Sequence, residues 1–508
     1  MSRRDALRNL AKLTMGFSFL GNFGMKALAQ TSPDYPVDCT PPAPTGPATP
    51  FVPGKLPVLP RKSAFNLSTQ EIASLTLAFQ KLRDLTTSDP ANPLGWLRQS
   101  YVHCWYCGGG SDGKEGEEIH SSWWFLPWHR CYLYFLERTL AKLANDPNLR
   151  LPYWDWSTQG DATQTLPGIY ANSSSSLYDA LRSVTTGDII PAAFVGPKAM
   201  KIVLTSSNFS TFGGVDTTIN GGQAGTLERI PHNNVHTWTG TDYAAPNWSS
   251  DMGVLATAAR DPVFFCHHAN VDRMWPSWLA NSSTHINPSD SSWLSHSWNF
   301  YDENGVWTSI KVSDVVDSKN IGYVYDSLAT VPPSTREKRT MQSFSAAITD
   351  AATKQPLIAA PKAVHTLKND PVTYQVALPK VHKDSLTALS NDAGPKYLLT
   401  IDGVVLPPDR SVSAKVYVNL PTANAGTSTE VPNFVGFISS IAKVKPGASH
   451  AGHDHGAQRE VFEIDDELAA ILVRDKVVKI TIVPVDSRSK KPKTMQFTYG
   501  QISLQPLK

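Results

Sequence analysis

The stretch from His103 to Trp156 constrains the fold more than any other part of the sequence. It reads HCWYCGGGSDGKEGEEIHSSWWFLPWHRCYLYFLERTLAKLANDPNLRLPYWDW, with three histidines (His103, His120, His129), three cysteines (Cys104, Cys107, Cys131) and six tryptophans. Imidazole and thiolate are the side chains that hold borderline and soft transition metals. Each indole has roughly 200 Å² to bury, so this many in one span demand a large dry core. A chain with this segment must build a metal site inside a hydrophobic body, not on its surface.

The rest of the composition agrees. The chain has 508 residues, 41% hydrophobic and 18% charged, with a net charge of +2. It is long and apolar enough for more than one packed domain. The near-zero charge gives no electrostatic case for nucleic acid or an acidic membrane as the main partner. Residues 1–29 differ in kind. Arg3-Arg4 precedes a mildly apolar segment from about Leu10 to Met25 and then Ala27-Leu28-Ala29. They read as a twin-arginine export signal with a small-residue cleavage site; an amphipathic N-terminal helix is the plainer alternative. The export reading places the protein in a bacterial periplasm or outside the cell, with the twin-arginine machinery as a partner. No later segment has 18 consecutive apolar residues, so no membrane span is expected. The five cysteines (Cys39, Cys104, Cys107, Cys131, Cys266) are odd in number and too few for a disulfide scaffold. Export still permits one or two covalent links.

Along the chain, residues 31 to about 62 are rich in Pro and Thr and read as a surface arm. Ser68 and Glu71 form the capping box of a helix with Ile72, Leu75, Phe79 and Leu82 on its apolar face, leading into His103. A second helix is expected from about Trp128 to Leu143, with His129 in its first turn. Residues 157–225 are rich in Ser, Thr and Gly and read as long loops. Pro231 suits a first helical turn, and His232 and His236, four apart, share a helix face. Asp261 as N-cap and Pro262 at the first position start a helix carrying His267 and His268. Short strands close this body near residue 326. Residues 327–368 read as a linker, with Arg336, Lys338 and Arg339 open to proteases. Beyond it, alternation at Val412, Ala414, Val416, Val418 and Leu420, and strand patterns at Val478, Ile480, Ile482, Phe497 and Tyr499, predict a β-sandwich over residues 369–508.

The histidines fall into two groups of three: His103, His120, His129 and His232, His236, His268. A lone histidine is more often a satisfied core residue than a ligand, but six in two such groups argue against that reading. Each group offers three neutral imidazoles and no carboxylate ligand. Imidazole suits Zn, Cu, Fe and Ni. A dry, aromatic, all-imidazole pair favours copper working with dioxygen, each ion keeping open positions.

The segments HCWYC (103–107), IHSSWWFLPWHR (119–130), LPYWDW (151–156), ERIPHNNVH (228–236) and RDPVFFCHHANVDRMW (260–275) carry a resemblance. The chain resembles the tyrosinase and polyphenol oxidase family of coupled binuclear copper proteins, and looks closest to the plant catechol-oxidase type. The resemblance covers nearly everything after the signal. It implies a mainly α catalytic domain over residues 30–326, a four-helix bundle with long loops around a dicopper site, plus the C-terminal β-sandwich. It implies two copper ions, the first on His103, His120 and His129 and the second on His232, His236 and His268. His267 is then a packed neighbour, a choice spacing alone does not make. By the same resemblance Cys107 forms a thioether with His120, and Cys104 a disulfide to the arm, where Cys39 is the candidate. Cys131 and Cys266 read as inert buried thiols.

The activity implied is oxidation of o-diphenols to o-quinones by dioxygen, with small phenols as substrates; a copper chaperone is a further candidate partner. Monophenol hydroxylation asks for more, because a phenol with a pKa of about 10 must lose its proton first. Glu228 matches the family's water-holding glutamate, and Asn233 could hold that water with it. Plant enzymes often place a phenylalanine over the second copper in a Met-Gly-x-Phe segment. Here the segment is Met252-Gly253-Val254-Leu255, and the smaller Leu255 favours a tyrosinase with both activities. A catechol oxidase without hydroxylation, an o-aminophenol oxidase and a haemocyanin-like dioxygen carrier remain open. The C-terminal sandwich resembles the domain that covers the site in latent plant enzymes, so latency relieved by cleavage in the linker is expected. His450, His453 and His455 read as adventitious surface metal ligands or as a copper-capture loop, and Arg488 to Lys493 as a solvated turn.

Overall fold

The structure is a computed structural model describing residues 39–54, 57–107, 118–219, 221–240, 251–332, 356–378, 397–443, 456–486 and 496–506. The signal-like residues 1–29, Arg336, Lys338 and Arg339 of the expected linker, His450, His453, His455 and the run Arg488 to Lys493 lie outside the described residues.

Helices build the first part. α1 (Thr69–Ser88) starts at Ser68, whose side chain and that of Glu71 form the capping box. It stops at Ser88, and His103 sits on a separate helix, α2 (Trp96–Trp105). α3 (Phe125–Ala144) begins three residues upstream of the expected Trp128, so His129 falls in its second turn. The helix runs through Pro127 because a first-turn residue needs no N–H partner. Nearly every side chain from Phe125 to Leu140 is buried, as befits a helix packed on all sides. α4 (Asn233–Thr239) is preceded by a π-helical turn, Glu228–His232, that contains Pro231. α5 (Val263–Asn281) carries His267 and His268, and Asp261 Oδ1 accepts the Val263 N–H at its start. Short helices at Ala192–Val195, Pro197–Leu204 and Phe209–Gly213 interrupt the stretch expected as loops.

Small strands edge this body. β1 (Thr49–Pro50) lies beside β4 (Trp307–Lys311), which pairs with β3 (Ser297–Tyr301); β2 (Leu59–Arg61) pairs with β5 (Tyr323–Tyr325). Asp272 of α5 ties the helices to these edges. Its carboxylate accepts Arg130 Nε at 2.6 Å and the hydroxyls of Tyr323 and Tyr325, each at 2.5 Å. Burial opposes its charge, but Arg130 and Arg61 outweigh burial and hold the carboxyl below its ordinary value.

The C-terminal part holds two four-stranded antiparallel sheets. One has the order β11 (Phe434–Ser440), β10 (Val412–Val418), β13 (Val477–Pro484), β8 (Val372–Ala377). The other has β12 (Gln458–Ile464), β9 (Tyr397–Val404), β15 (Ile502–Pro506), β6 (Leu357–Ala360). β14 (Phe497–Tyr499) pairs with β7 (His365–Leu367). β6 and β7 fall inside the stretch read as linker, because Leu357 and Leu367 bury in the sandwich core. Residues Tyr35 to Lys508 form one structural unit. The reason is the first sheet, which is apolar on both faces. Val412, Ala414, Val416 and Val418 pack inside the sandwich. Tyr417, Phe434, Phe437, Val483 and Val485 pack into the core of the helical body.

Candidate metal centre

Helices α2, α3, α4 and α5 and the turns that precede α3 and α4 bring the six expected histidines together. His103 comes from the end of α2, His129 from α3, and His120 from the turn before α3. The ring centroids of this first group are 5.3, 5.3 and 5.6 Å apart. His232 ends the π-helical turn, His236 lies one helical turn on in α4, and His268 is on α5. Their centroids are 4.6, 4.9 and 5.3 Å apart. The groups face each other, and His129 stacks on His268 at 4.1 Å. Phe264 packs against His103 and His268, and Phe125 against His129 and His232. All six rings are at most 3% exposed.

Hydrogen bonds fix the ring orientations. Nδ1 of His103 donates to Leu255 O at 2.9 Å, Nδ1 of His129 to Phe125 O at 2.7 Å, and Nδ1 of His236 to Met252 O at 2.9 Å. His232 Nδ1 donates to Asn233 Oδ1 at 2.9 Å, and His120 Nδ1 lies 3.1 Å from Glu118 Oε1. A carbonyl oxygen only accepts, so the proton sits on Nδ1 and the Nε2 lone pair is left free. Nε2 of His129 and His232 is buried without a hydrogen-bond partner, and Nε2 of His236 and His268 converge to 3.1 Å. Burial, followed by the neighbouring imidazoles, holds His103, His129, His232 and His268 well below the usual histidine value, and His236 likewise. They are neutral, the form that binds a metal. These buried, converging, neutral donors fit a pair of metal ions.

His267 also reaches the second group; donor atoms of His232, His236, His267 and His268 lie within 4.8 Å of one another. Its Nδ1 accepts the Trp156 indole N–H at 3.1 Å. A neutral ring that accepts on Nδ1 carries its proton on Nε2 and has no lone pair to offer there. This distinguishes it from His268, whose Nδ1 has no hydrogen-bond partner.

Cys107 Sγ lies 3.4 Å from His120 Nδ1 and 3.4 Å from His103 Nε2; burial pushes its thiol well up. Cys39 and Cys104 are joined as a disulfide, fastening the arm to α2 beside His103. Cys131 and Cys266 are buried free thiols.

The three residues expected to steer substrate have specific partners. Glu228 accepts the Ser121 N–H at 2.9 and 3.1 Å, next to His120, and burial pushes its carboxyl up to about 8. Asn233 faces other partners. Its Oδ1 serves His232, and its Nδ2 donates to Ser439 O and Oγ at 3.2 and 3.1 Å. The backbone of Leu255 accepts from His103 Nδ1 at its carbonyl and donates its N–H to Ala442 O at 2.9 Å. The path of one short turn explains this: Met252 O serves His236 and Leu255 O serves His103. Sequence reasoning missed Glu118, Met252 and the segment Ser439–Lys443. Glu118 ends an acidic run that looks solvated, and a backbone carbonyl leaves no signature in side-chain chemistry.

Two imidazole triads facing each other in a dry core, under a β-sandwich, define a binuclear all-histidine metal protein. The model described as the common central domain of tyrosinase matches residues 93–189 and 178–281, and that of the polyphenol oxidase middle domain residues 287–337. A chloroplastic polyphenol oxidase of Malus domestica is 33% identical over 78% of this chain and 72% of its own length. Polyphenol oxidase B of Solanum lycopersicum is 38% identical over 58% of this chain. The chain spans about half of that relative, 54% of its length. The solved structure of latent apple tyrosinase matches with a TM-score of 0.69 and 28% identity, over 91% of this chain and all of that one. The chain belongs to the tyrosinase and polyphenol oxidase family, whose members are binuclear copper enzymes. The matched plant relatives are named as chloroplastic; among the described residues no helix is long and apolar enough to cross a membrane.

Proposed function

We propose that the protein is a latent tyrosinase that hydroxylates monophenols and oxidises o-diphenols to o-quinones with dioxygen. The observation that carries this reading is the pair of facing triads, with Nδ1 of His103, His129, His232 and His236 anchored outward. His103, His120 and His129 hold the first copper ion, and His232, His236 and His268 the second. The bound copper pair supplies the electron transfer between phenol and dioxygen. Each diphenol gives up two electrons and two protons, so two diphenols reduce one dioxygen to two waters. The chain's own part is to orient the phenol, exclude water and handle the phenolic proton. Glu228 is the candidate to hold a water that takes it, since bound cations favour the carboxylate that burial alone disfavours. Cys107 links to His120 as a thioether: its S–H and one ring C–H are lost, two protons leave, two electrons pass to dioxygen, and the new S–C bond fixes the ring without using a hydrogen bond.

Ser439–Lys443 covers the site: Ser439 binds Asn233, Ala442 pairs with Leu255, and Ile441 between them buries in the core of the helical body. In latent form this segment occupies the approach to the copper pair, and Leu255 leaves room for a monophenol once it withdraws. Export through the twin-arginine route to a periplasm or beyond, with a copper chaperone upstream, completes the reading. The test compares rates on a monophenol, an o-diphenol and an o-aminophenol. It is run before and after proteolysis between residues 327 and 368 with separation of the fragments. Both phenols should turn over, faster after separation. Diphenol oxidation without hydroxylation, even with a diphenol primer, would leave a catechol oxidase. Copper-loaded, separated protein inert to all three would leave a dioxygen carrier.

A further inference from the structure

The cover reaches the first histidine group through charge as well as shape. Lys443 Nζ lies 3.1 Å from Glu118 Oε2. The other oxygen of that carboxylate, Oε1, lies 3.1 Å from His120 Nδ1 and accepts the His120 backbone N–H at 2.9 Å. The side chains are only 16% and 8% exposed, so water screens the pair poorly. Lys443 is held in place by its own backbone. Its N–H donates to Pro408 O at 2.8 Å, while Ala442 donates to Ser411 Oγ at 3.0 Å and accepts from Leu255. One member of the pair comes from the helical body and the other from the cover. When the cover leaves, Lys443 leaves with it and Glu118 stays beside His120.

We propose that Lys443 is a positioning residue through which the docked cover weakens copper binding at His120. The proposal rests on His120 holding a copper ion. A carboxylate bonded to the outer nitrogen of a ligand histidine makes the ring a stronger donor. An ammonium on the same carboxylate offsets its negative charge and reduces that gain. Docking and copper binding are then opposed, and the opposition is mutual: whatever docking takes from copper affinity, copper takes from docking. Latency in this chain thus has an electrostatic component beside the steric one, and the uncovered enzyme holds its first copper more firmly than the covered one.

The test measures copper retained by the full-length chain against a graded chelator, in wild type, Lys443→Met, Lys443→Arg, Glu118→Gln and the Lys443→Met/Glu118→Gln pair. Lys443→Met should keep copper against about tenfold more chelator, the low end of such outer contacts. Lys443→Arg keeps the charge and should match wild type. Glu118→Gln should lose copper sooner, and the effect of Lys443→Met should shrink in that background. Equal retention in wild type and Lys443→Met, or an equal shift with and without Glu118, overturns the proposal alone. A wild-type chain that takes up no copper overturns the metal reading with it.

Discussion

Glu228 carries the clearest pH signature of any single residue here. Its carboxyl is fully buried, and burial lifts it from about 4.5 to about 8 in the copper-free chain. The folded protein therefore holds a proton that the unfolded chain releases above about pH 4.5. Unfolding releases that proton throughout the window up to about 8, so stability falls as pH rises across it. In Glu228→Gln this part of the slope disappears, which melting temperatures of copper-free protein from pH 5 to 8 would reveal. The same variant should lose more monophenol than diphenol turnover; equal losses would remove its role in taking the phenolic proton. The two histidine groups were legible in the sequence as clusters, but the choice of His268 over His267 rested on the family resemblance and not on spacing. The outer partners of the histidines were not legible. Leu255 and Met252 act through backbone carbonyls, whose aim depends on the path of the chain rather than on residue type. Asn233 was legible as a neighbour of His232, but its tie to Ser439 spans 206 residues.

At the scale of elements, local rules worked where the local signal was also the deciding one. The capping box at Ser68 started α1 as read. The start of α3 was missed because a proline inside a first turn looks like a boundary from either side. The π-helical turn at Glu228–His232 had no sequence marker beyond Pro231. Turns of this kind concentrate at functional sites, and here one places Glu228 and His232 on the same centre. The disulfide from Cys39 to Cys104 links the Pro-rich arm to the helix that carries His103, over a separation of 65 residues. Closing a loop of that length constrains the unfolded chain, so Cys39→Ser should lower stability by about 2–4 kcal/mol. Chemical denaturation would measure this. A variant as stable as wild type would mean that the arm adds nothing to α2.

At the scale of the whole molecule, alternation in β10 correctly predicted a sandwich but gave only half of its environment. Val412, Ala414, Val416 and Val418 alternate with Ser413, Lys415 and Tyr417, a pattern that ordinarily means one face in water. Every one of these residues is buried. Ser413 donates to Asn234 and Tyr417 packs into the helical core. Arg229 of the helical body and Glu460 of β12, in the other sheet, each at most 3% exposed, form an ion pair at 2.8 Å between body and sandwich. Glu460→Ala strands a buried guanidinium, which costs about 3–5 kcal/mol, and the docked arrangement bears that cost. Uncut Glu460→Ala protein should oxidise diphenols several-fold faster than uncut wild type; an unchanged rate would show that the seam does not limit access.

The two-faced sheet also separates two events that are easily taken as one. Scission of the chain removes a tether, but it does not wet Tyr417, Phe434, Phe437, Val483 or Val485. A nicked molecule keeps both halves of an oily seam pressed together, much as a cut peptide stays inside a folded protein. It would run as two bands on a denaturing gel and as one particle on a sizing column, still inert. Waking it calls for a second agent that makes the seam soluble or digests the lid. An organism holding such a protein could cut it in advance and store it, silent, until the surroundings change.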